Sequence, residues 1–143
     1  MQLSEHFTLD ELIRSDTANR RGINNYPSDE IIEYLRETAN LLEDVRLLLK
    51  RPINVTSGYR CPDLNVAIGG SRTSSHMNGM AADFTCPSYG SPFSICQAII
   101  KDGMVFDQLI HEFNSWVHIS WSPNPRQQVL TINNSGTRSG LYV

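Results

Sequence analysis

Apolar residues recur at helical spacing in the first part of the chain. Between Ser28 and Lys50 they fall at intervals of three, four and seven residues, which places them on one face of a helix. They are Ile31, Leu35, Leu42, Val45 and Leu49. Ser28 is suited to cap this helix, and Pro52 ends it. The pattern predicts a long helix from Ser28 to about Lys50 with one face packed against a core.

Three shorter segments also have helical signals. In "FTLDELIRS", Thr8 and Glu11 have the spacing of a capping box, which predicts a short helix. "CPDLNVAIGG" predicts a helix of one or two turns. "SPFSICQAIIKDG" begins with Ser-Pro and ends with glycine, so a helix of about 11 residues is expected. The segment "NRRGINNYP" is predicted to be a loop.

The other apolar runs are strand-like. "INVTSGYR" and "GMAADF" each predict one strand, and "FDQLIHEF" and "WVHISW" predict a hairpin across the dipeptide "NS". The tail "QVLTINNSGTRSGLYV" is expected to add an edge strand. Helices therefore come first and strands mostly follow. This order predicts an α+β fold, with a central antiparallel sheet and the N-terminal helices packed on it.

The hairpin has two possible registers with different consequences. In a two-residue turn His111 lies opposite His118, and the two side chains share one face of the sheet. One additional loop residue shifts the register, so that Glu112 lies opposite Trp116 and shares the face of His118. "NS" lacks the glycine usual in tight turns, which makes the longer loop credible.

Composition limits the function classes. The chain of 143 residues is expected to form one domain, residues 1–143, and to be a monomer. Its net charge of −3 argues against binding nucleic acid through phosphate neutralisation. It has no apolar run long enough for membrane insertion and no secretory signal, so cytoplasmic synthesis is expected.

The three cysteines cannot all pair within the chain. Cys61, Cys86 and Cys96 match no metal-binding spacing, and free buried thiols are expected. A disulfide between Cys86 and Cys96 is the alternative.

His76, Asp83 and His118 are the candidate metal ligands. Two imidazoles and one carboxylate form a common catalytic zinc set, with water as the fourth ligand. Gly79 allows a sharp turn between His76 and the strand that carries Asp83. On spacing alone, ordinary polar histidines and a turn-capping aspartate are the commoner explanation of this pattern.

The motifs around these residues resemble a known family. "SSHMNGMAAD" fits the pattern S-x-H-x-x-G-x-A-x-D at every fixed position. "VTSGYRCPDLNVAIGGS" upstream and "DQLIHEFNSWVHIS" downstream are similar to two further motifs of the same family. The chain thus resembles, over about residues 5–121, the zinc D-Ala-D-Ala carboxypeptidases. That family includes phage L-alanyl-D-glutamate endopeptidases and shares its fold with the hedgehog signalling domain.

The resemblance implies a role for most of the site. His76, Asp83 and His118 would bind Zn²⁺. Arg60 would face an oxyanion or a substrate carboxylate, whereas an ion pair with Asp63 is its structural alternative. Ser74 would bind substrate or hold its loop.

The general base is less clear, because many relatives have glutamate three residues before the last histidine, where this chain has Ser115. Glu112 is the favoured base, and His111 is the alternative. Trp116 would either wall the cleft beside His118 or pack in the sheet.

The function implied by this resemblance is a zinc metallopeptidase that cleaves the stem peptides of peptidoglycan. A phage endolysin-type endopeptidase and a D,D-carboxypeptidase are both compatible with it. Such an enzyme would act on the cell wall after release, in the host cell if the protein is phage-encoded. The alternative is a non-enzymatic zinc-containing binding domain with the hedgehog-like fold.

Overall fold

A computed structural model describes residues 1–143. Its helices are α1 (Leu9–Ile13), α2 (Asp16–Arg21), α3 (Asp29–Leu49), α4 (Pro62–Ala67) and α5 (Pro92–Asp102), with a 3-10 turn at Ser75–Asn78. Its strands are β1 (Asn54–Ser57), β2 (Ala81–Thr85), β3 (Gln108–Glu112), β4 (Trp116–Ser120), β5 (Gln128–Asn133) and β6 (Gly136–Ser139). The predicted α+β fold is confirmed: the strands form one sheet, in the order β1-β2-β4-β3-β5-β6, with helices packed on it.

The sheet differs from the prediction at its C-terminal side. The tail contributes two strands, and β5 lies between β3 and β6. β5 runs parallel to β3, whereas every other pairing is antiparallel. β4 ends beside the start of β3, where the Asp107 amide donates to the Ser120 carbonyl. A strand that starts again at this edge, with Gln128 opposite Gln108, must run in the direction of β3.

The predicted helix caps are present. Thr8 and Glu11 form both hydrogen bonds of the capping box, and Ser28 and Ser91 accept from backbone amides at the starts of α3 and α5.

The predicted loop "NRRGINNYP" is wrong in part, because its first residues belong to α2. Ser15 caps α2, and Gly22 ends it with φ of 65°. α2 buries only Ala18, so it has no apolar periodicity to reveal it.

The core lies on one face of the sheet. α3 and α5 cover this face and bury Leu35, Leu42 and Ile99 completely. Phe84 of β2 and Val117 of β4 lie opposite each other and point into the same core. Because side chains alternate along a strand, their neighbours Asp83 and His118 face the other side of the sheet. That other face contains the candidate site.

The cysteines are free in this structure. Cys86 and Cys96 are buried in the core, and Cys61 is half-buried. Burial raises the pKa of the Cys96 thiol to about 12.

No helix is both long and apolar enough to span a lipid bilayer.

A carboxylate on α3 fixes the N-terminal segment. Glu43 accepts hydrogen bonds from the Ser4 hydroxyl, from the His6 amide at 2.7 Å and from His6 Nδ1 at 2.6 Å. Burial alone would raise the pKa of Glu43, but these hydrogen bonds outweigh it and lower the pKa below the ordinary value of 4.5. Deprotonated Glu43 therefore stabilises the folded state.

We expect Glu43→Gln to lower the free energy of unfolding by about 1 kcal/mol at neutral pH, because charged acceptors are replaced by a neutral amide. A lowered folded-state pKa means that this stabilisation is complete above the unfolded-state pKa. It is lost as the pH falls through the folded-state pKa. Urea unfolding of the wild type and the variant across this range would measure it. A difference that stays constant down to the acid limit would contradict the role given to the Glu43 charge.

Candidate functional site

Two neighbouring strands position the first two candidate ligands. Asp83 of β2 lies directly opposite His118 of β4, on the face of the sheet away from the core. Both residues are buried, with 8% and 6% of their surface exposed. The distance from His118 Nδ1 to Asp83 Oδ1 is 3.0 Å. The paired register of β2 and β4 thus fixes the separation of these two groups.

His76 comes from the 3-10 turn just before β2. The Ser74 hydroxyl accepts from the His76 amide at 3.2 Å and starts the turn. Gly79 ends it with φ of 73°, a conformation that side-chain-bearing residues rarely adopt. The Gly79 carbonyl accepts from the Thr38 hydroxyl at 2.6 Å, and this hydroxyl accepts in turn from the Trp121 indole. α3 therefore anchors the turn that positions His76.

A backbone carbonyl orients the His76 ring. His76 Nδ1 lies 2.7 Å from the Gly58 carbonyl oxygen. Since a carbonyl only accepts, Nδ1 carries the proton and Nε2 has its lone pair free. Nε2 points at Asp83 Oδ1, 3.2 Å away. This outer hydrogen bond is the arrangement that usually fixes the tautomer of a metal-binding histidine.

Gly58 itself has no space for a side chain. A Cβ atom there would lie 2.2 Å from the Leu12 carbonyl oxygen, which also accepts from the Tyr59 amide at 2.7 Å. The close contact joins α1 to the end of β1. It explains why the motif "SGYR" needs glycine at this position.

We expect Gly58→Ala to lower the free energy of unfolding by about 3 kcal/mol or more, because the added methyl group meets backbone atoms that cannot rotate away. The displaced Gly58 carbonyl would also release the His76 ring. Urea unfolding of the metal-free protein would measure the change. Ser57→Ala is the control, since Ser57 is the preceding residue and already has a Cβ atom. A loss below about 1 kcal/mol for Gly58→Ala would show that the α1 contact is not rigid.

The structure brings the three predicted ligands together. Ligand atoms of His76, Asp83 and His118 all lie within 4.8 Å of one another, and all three residues are buried. Burial alone would raise the pKa of Asp83, yet His76 and His118 outweigh it and hold this pKa well below its usual range. Asp83 is therefore an anion that faces two imidazoles.

The donor set fits a divalent metal ion. His76 Nε2 and Asp83 Oδ1 are two acceptors pointing at each other, an arrangement that a cation between them satisfies. His118 contacts Asp83 through Nδ1, but its Nε2 is enclosed and has no hydrogen-bond partner, which is unusual for a buried polar atom. Three ligands with nitrogen and oxygen donors leave one position open, as in catalytic zinc sites.

Arg60 lies above this group. Its Nη2 donates to the Ser74 hydroxyl at 3.1 Å, while its Nε is enclosed and has no partner. Burial lowers the pKa of Arg60, and the charges of Asp83 and Glu112 act against this shift. The alternative ion pair with Asp63 is absent from the structure. Ser74 accordingly holds both the His76 turn and the Arg60 guanidinium.

The hairpin has the longer loop. Glu112 lies opposite Trp116, and the loop contains Phe113, Asn114 and Ser115. Phe113 and Asn114 have φ of 52° and 51°, so two non-glycine residues adopt the left-handed conformation here. In this register Glu112 shares the face of His118, and its Oε1 lies 3.9 Å from His118 Nδ1.

His111 faces the other side of the sheet, opposite Val117. It is buried, with its ring nitrogens bonded to the Tyr142 carbonyl and the Asn114 side chain. The register in which His111 lies beside His118 is therefore not the one adopted.

The surroundings of Glu112 change its acidity. Burial and the nearby Asp83 carboxylate raise the pKa of Glu112, and the opposing effects of His118, Trp116 and Arg60 do not cancel this shift. A carboxylate whose pKa moves toward neutrality accepts and returns a proton more readily than an ordinary one. The enclosed Trp116 indole N–H lies close enough to Glu112 to act on its pKa, although the contact falls short of hydrogen-bond geometry.

The candidate site lies in one cleft of about 890 Å³ on the open face of the sheet. The candidate ligands contribute to its wall. The other lining residues that bear on its chemistry are Arg60, Ser74, Gln108, Glu112, Phe113, Trp116 and Arg126. Every residue predicted for the site lines this cleft except His111.

Two positioning residues were missed from sequence. Asn25 donates to the carbonyls of Ile13 and Tyr59 and accepts from the Cys61 amide, so it fixes the backbone on both sides of Arg60. Thr38 anchors the His76 turn. Asn25 lies in a polar loop and Thr38 in an amphipathic helix, where neither residue type is unusual. No local signal separates them from their neighbours.

Together the fold and the site define an α+β domain with a buried His-Asp-His group that lines an open cleft and could hold a metal ion. Residues 5–120 match the family model described as Peptidase M15, and the chain belongs to this family. The resemblance to the zinc D-Ala-D-Ala carboxypeptidases is thereby confirmed. This membership suggests that the protein is a peptidase, and the members of the family are zinc enzymes. Comparison with curated proteins gave no match.

Proposed function

We propose that this protein is a zinc peptidase that cleaves the stem peptides of bacterial peptidoglycan. The observation that carries the proposal is the geometry of the cleft. A buried His76-Asp83-His118 group lies beside a carboxylate, Glu112, that is free of any structural ion pair to a lysine or arginine. Membership in the M15 family supports both the metal and the class of substrate.

Few groups take part in the proposed mechanism. When bound, zinc lowers the pKa of a water molecule and polarises the scissile carbonyl. His76, Asp83 and His118 would hold the ion. Glu112 takes the proton from the attacking water and delivers it to the nitrogen of the leaving amine.

Arg60 is suited to stabilise charge on the substrate. Its guanidinium keeps N–H donors available after the bond to Ser74, and it can aim them at the developing oxyanion or at a substrate carboxylate. Ser74 fixes the guanidinium from behind. Trp116 and Phe113, whose ring centroids are 5.6 Å apart, would wall the cleft on the side of Glu112.

Within this class we favour an endopeptidase of the phage endolysin type over a D,D-carboxypeptidase. The long helix α3 and the compact chain resemble the small phage-type members of the family. Such an enzyme would act as a monomer on the cell wall after its release from the cell that makes it.

A non-enzymatic zinc-containing binding domain is the second candidate. The hedgehog-like fold supports it, because that fold also occurs in signalling proteins. The position of Glu112 favours the enzyme: a binding domain has no need of a half-buried carboxylate with a raised pKa 3.9 Å from a ligand histidine.

Digestion of purified peptidoglycan, followed by mass analysis of the released fragments, tests the proposal. Cleavage between L-Ala and D-Glu is the expected result, whereas release of terminal D-Ala would assign a carboxypeptidase. The zinc-free protein is the control. If zinc-loaded protein releases no fragment from walls of several chemical types, the binding domain becomes the better explanation.

A further inference from the structure

Arg126 forms a fixed ion pair at the rim of the cleft. Its Nε and Nη2 donate to the two carboxylate oxygens of Asp107 at 3.0 and 2.8 Å, and its backbone amide donates to the same carboxylate at 3.0 Å. Asp107 is buried, while the Arg126 side chain is 58% exposed. The hydrogen bonds with Arg126 outweigh burial and lower the pKa of Asp107. The guanidinium is thus held by a buried anion and remains open to solvent.

This pairing uses only one edge of the guanidinium. The hydrogen bonds to Asp107 come from Nε and from one hydrogen of Nη2. The opposite edge, made of Nη1 and the second Nη2 hydrogen, makes no hydrogen bond in the structure. Two parallel N–H donors on one edge match the two oxygens of a carboxylate. Arg126 therefore presents an oriented and unoccupied binding edge.

Arg126 and Arg60 line the same cleft but lie on opposite sides of the three central strands. Arg60 follows β1, which lies at the edge next to β2, whereas Arg126 precedes β5, which lies beyond β3. The strands that carry Asp83, His118 and Glu112 lie between them. A peptide that crosses these strands would meet one arginine on each side of the metal centre.

Arg126 also lies outside the part of the chain that matches the family. The match ends at residue 120, before the loop 121–127 and strands β5 and β6. The C-terminal segment therefore adds a wall to the cleft that the family match does not include. Residues in such an added wall are suited to select a substrate, since the reacting groups are complete without them.

We propose that Arg126, oriented by Asp107, is a specificity residue that binds a carboxylate of the peptide substrate on the β5 side of the metal centre. This inference rests on the proposed function, because it assumes a peptide in the cleft. Asp107 offsets part of the positive charge, so the subsite selects by the geometry of its paired donors more than by charge. A loss of about tenfold in affinity is expected, which is the low end for hydrogen bonds to a charged group.

Binding of four synthetic peptides tests the proposal. The peptide is L-Ala-γ-D-Glu-L-Lys-D-Ala, made with the D-Glu α-carboxylate free or amidated and with the C-terminal carboxylate free or amidated. Each is titrated calorimetrically into zinc-loaded protein that carries Glu112→Gln, which suppresses cleavage, with and without Arg126→Gln. Arg138→Gln is the matched control, since it removes the same charge from β6, where the side chain packs on the Tyr142 ring.

We expect Arg126→Gln to weaken binding of the doubly free peptide about tenfold and to leave the doubly amidated peptide unchanged. The single amidations identify which carboxylate is bound, because amidation of that one abolishes the effect of the variant. Arg138→Gln should change none of the affinities by more than about twofold.

Equal losses for all four peptides would show that Arg126 only tethers the loop 121–127, and no loss for any peptide would remove it from the site. Both results overturn the inference. Turnover by the protein with native Glu112 is measured in parallel to separate the two claims. Cleavage without any effect of Arg126 would refute the inference alone. Arg126-dependent carboxylate binding, without cleavage of this peptide or of the same peptide extended by a second D-Ala, would refute the peptidase alone.

Discussion

Replacing Glu112 by glutamine will lower the turnover of a stem-peptide substrate by at least about 100-fold while the zinc and the fold remain. Glutamine keeps the shape of the side chain but cannot accept the proton of the attacking water. Glu112 has the position for this transfer, since its carboxylate lies 3.9 Å from His118 Nδ1 on the cleft side of the sheet. Burial and Asp83 also raise its pKa, which brings the carboxylate closer to the acidity of an efficient base.

The control for this result is the neighbouring residue. His111→Ala should change turnover by less than about tenfold, because the His111 ring lies on the far side of the sheet and bonds to Tyr142 and Asn114. Zinc content and unfolding are measured for both variants, so that a loss of metal is not mistaken for a loss of the base. A large effect of His111→Ala with normal turnover in Glu112→Gln would reverse the assignment.

The second large effect is expected for His118→Ala, which should lose most of its zinc. Only three protein ligands are available, and this change leaves His76 and Asp83 alone. Their remaining geometry favours a hydrogen-bonded pair, because Nε2 of His76 lies 3.2 Å from the Asp83 carboxylate. Elemental analysis after equilibration with a fixed concentration of free zinc would measure the loss.

His6→Ala provides the matched control for the metal measurement. It removes an imidazole that lies in the N-terminal segment and bonds to Glu43, away from the cleft. We expect it to retain about one zinc per chain. Full zinc occupancy in His118→Ala would mean that the metal binds elsewhere, and the site would need to be reassigned.

Sequence patterns were sufficient for the helices with strong end signals. Ser28 and Ser91 were identified as caps because a hydroxyl residue stands directly before an apolar periodic segment. α2 could not be predicted, because a six-residue helix that buries only Ala18 has too few apolar positions to show helical periodicity. The parallel pairing of β5 with β3 could not be predicted, since it depends on where β4 ends in space.

Some residues of the candidate site can likewise be predicted from sequence, and others cannot. His76 and Asp83 can be predicted from sequence because their motif has fixed spacings around Gly79, and His118 because its segment is similar to a further motif of the same family. Glu112 and His111 could not be separated from sequence, because one residue in the hairpin loop decides which of them faces the cleft. Asn25 and Arg126 act through contacts between distant parts of the chain, with Tyr59 and with Asp107, and such contacts leave no local pattern.

Zinc titration of the metal-free protein tests the central claim most directly. The chain is stripped with a chelator, zinc is added in steps, and cleavage of a stem peptide is measured at each step. We predict that activity is absent without metal, rises in proportion to added zinc and stops rising at one equivalent per chain. Full activity in the stripped protein, or a rise that continues to several equivalents, would contradict a single catalytic zinc at His76, Asp83 and His118.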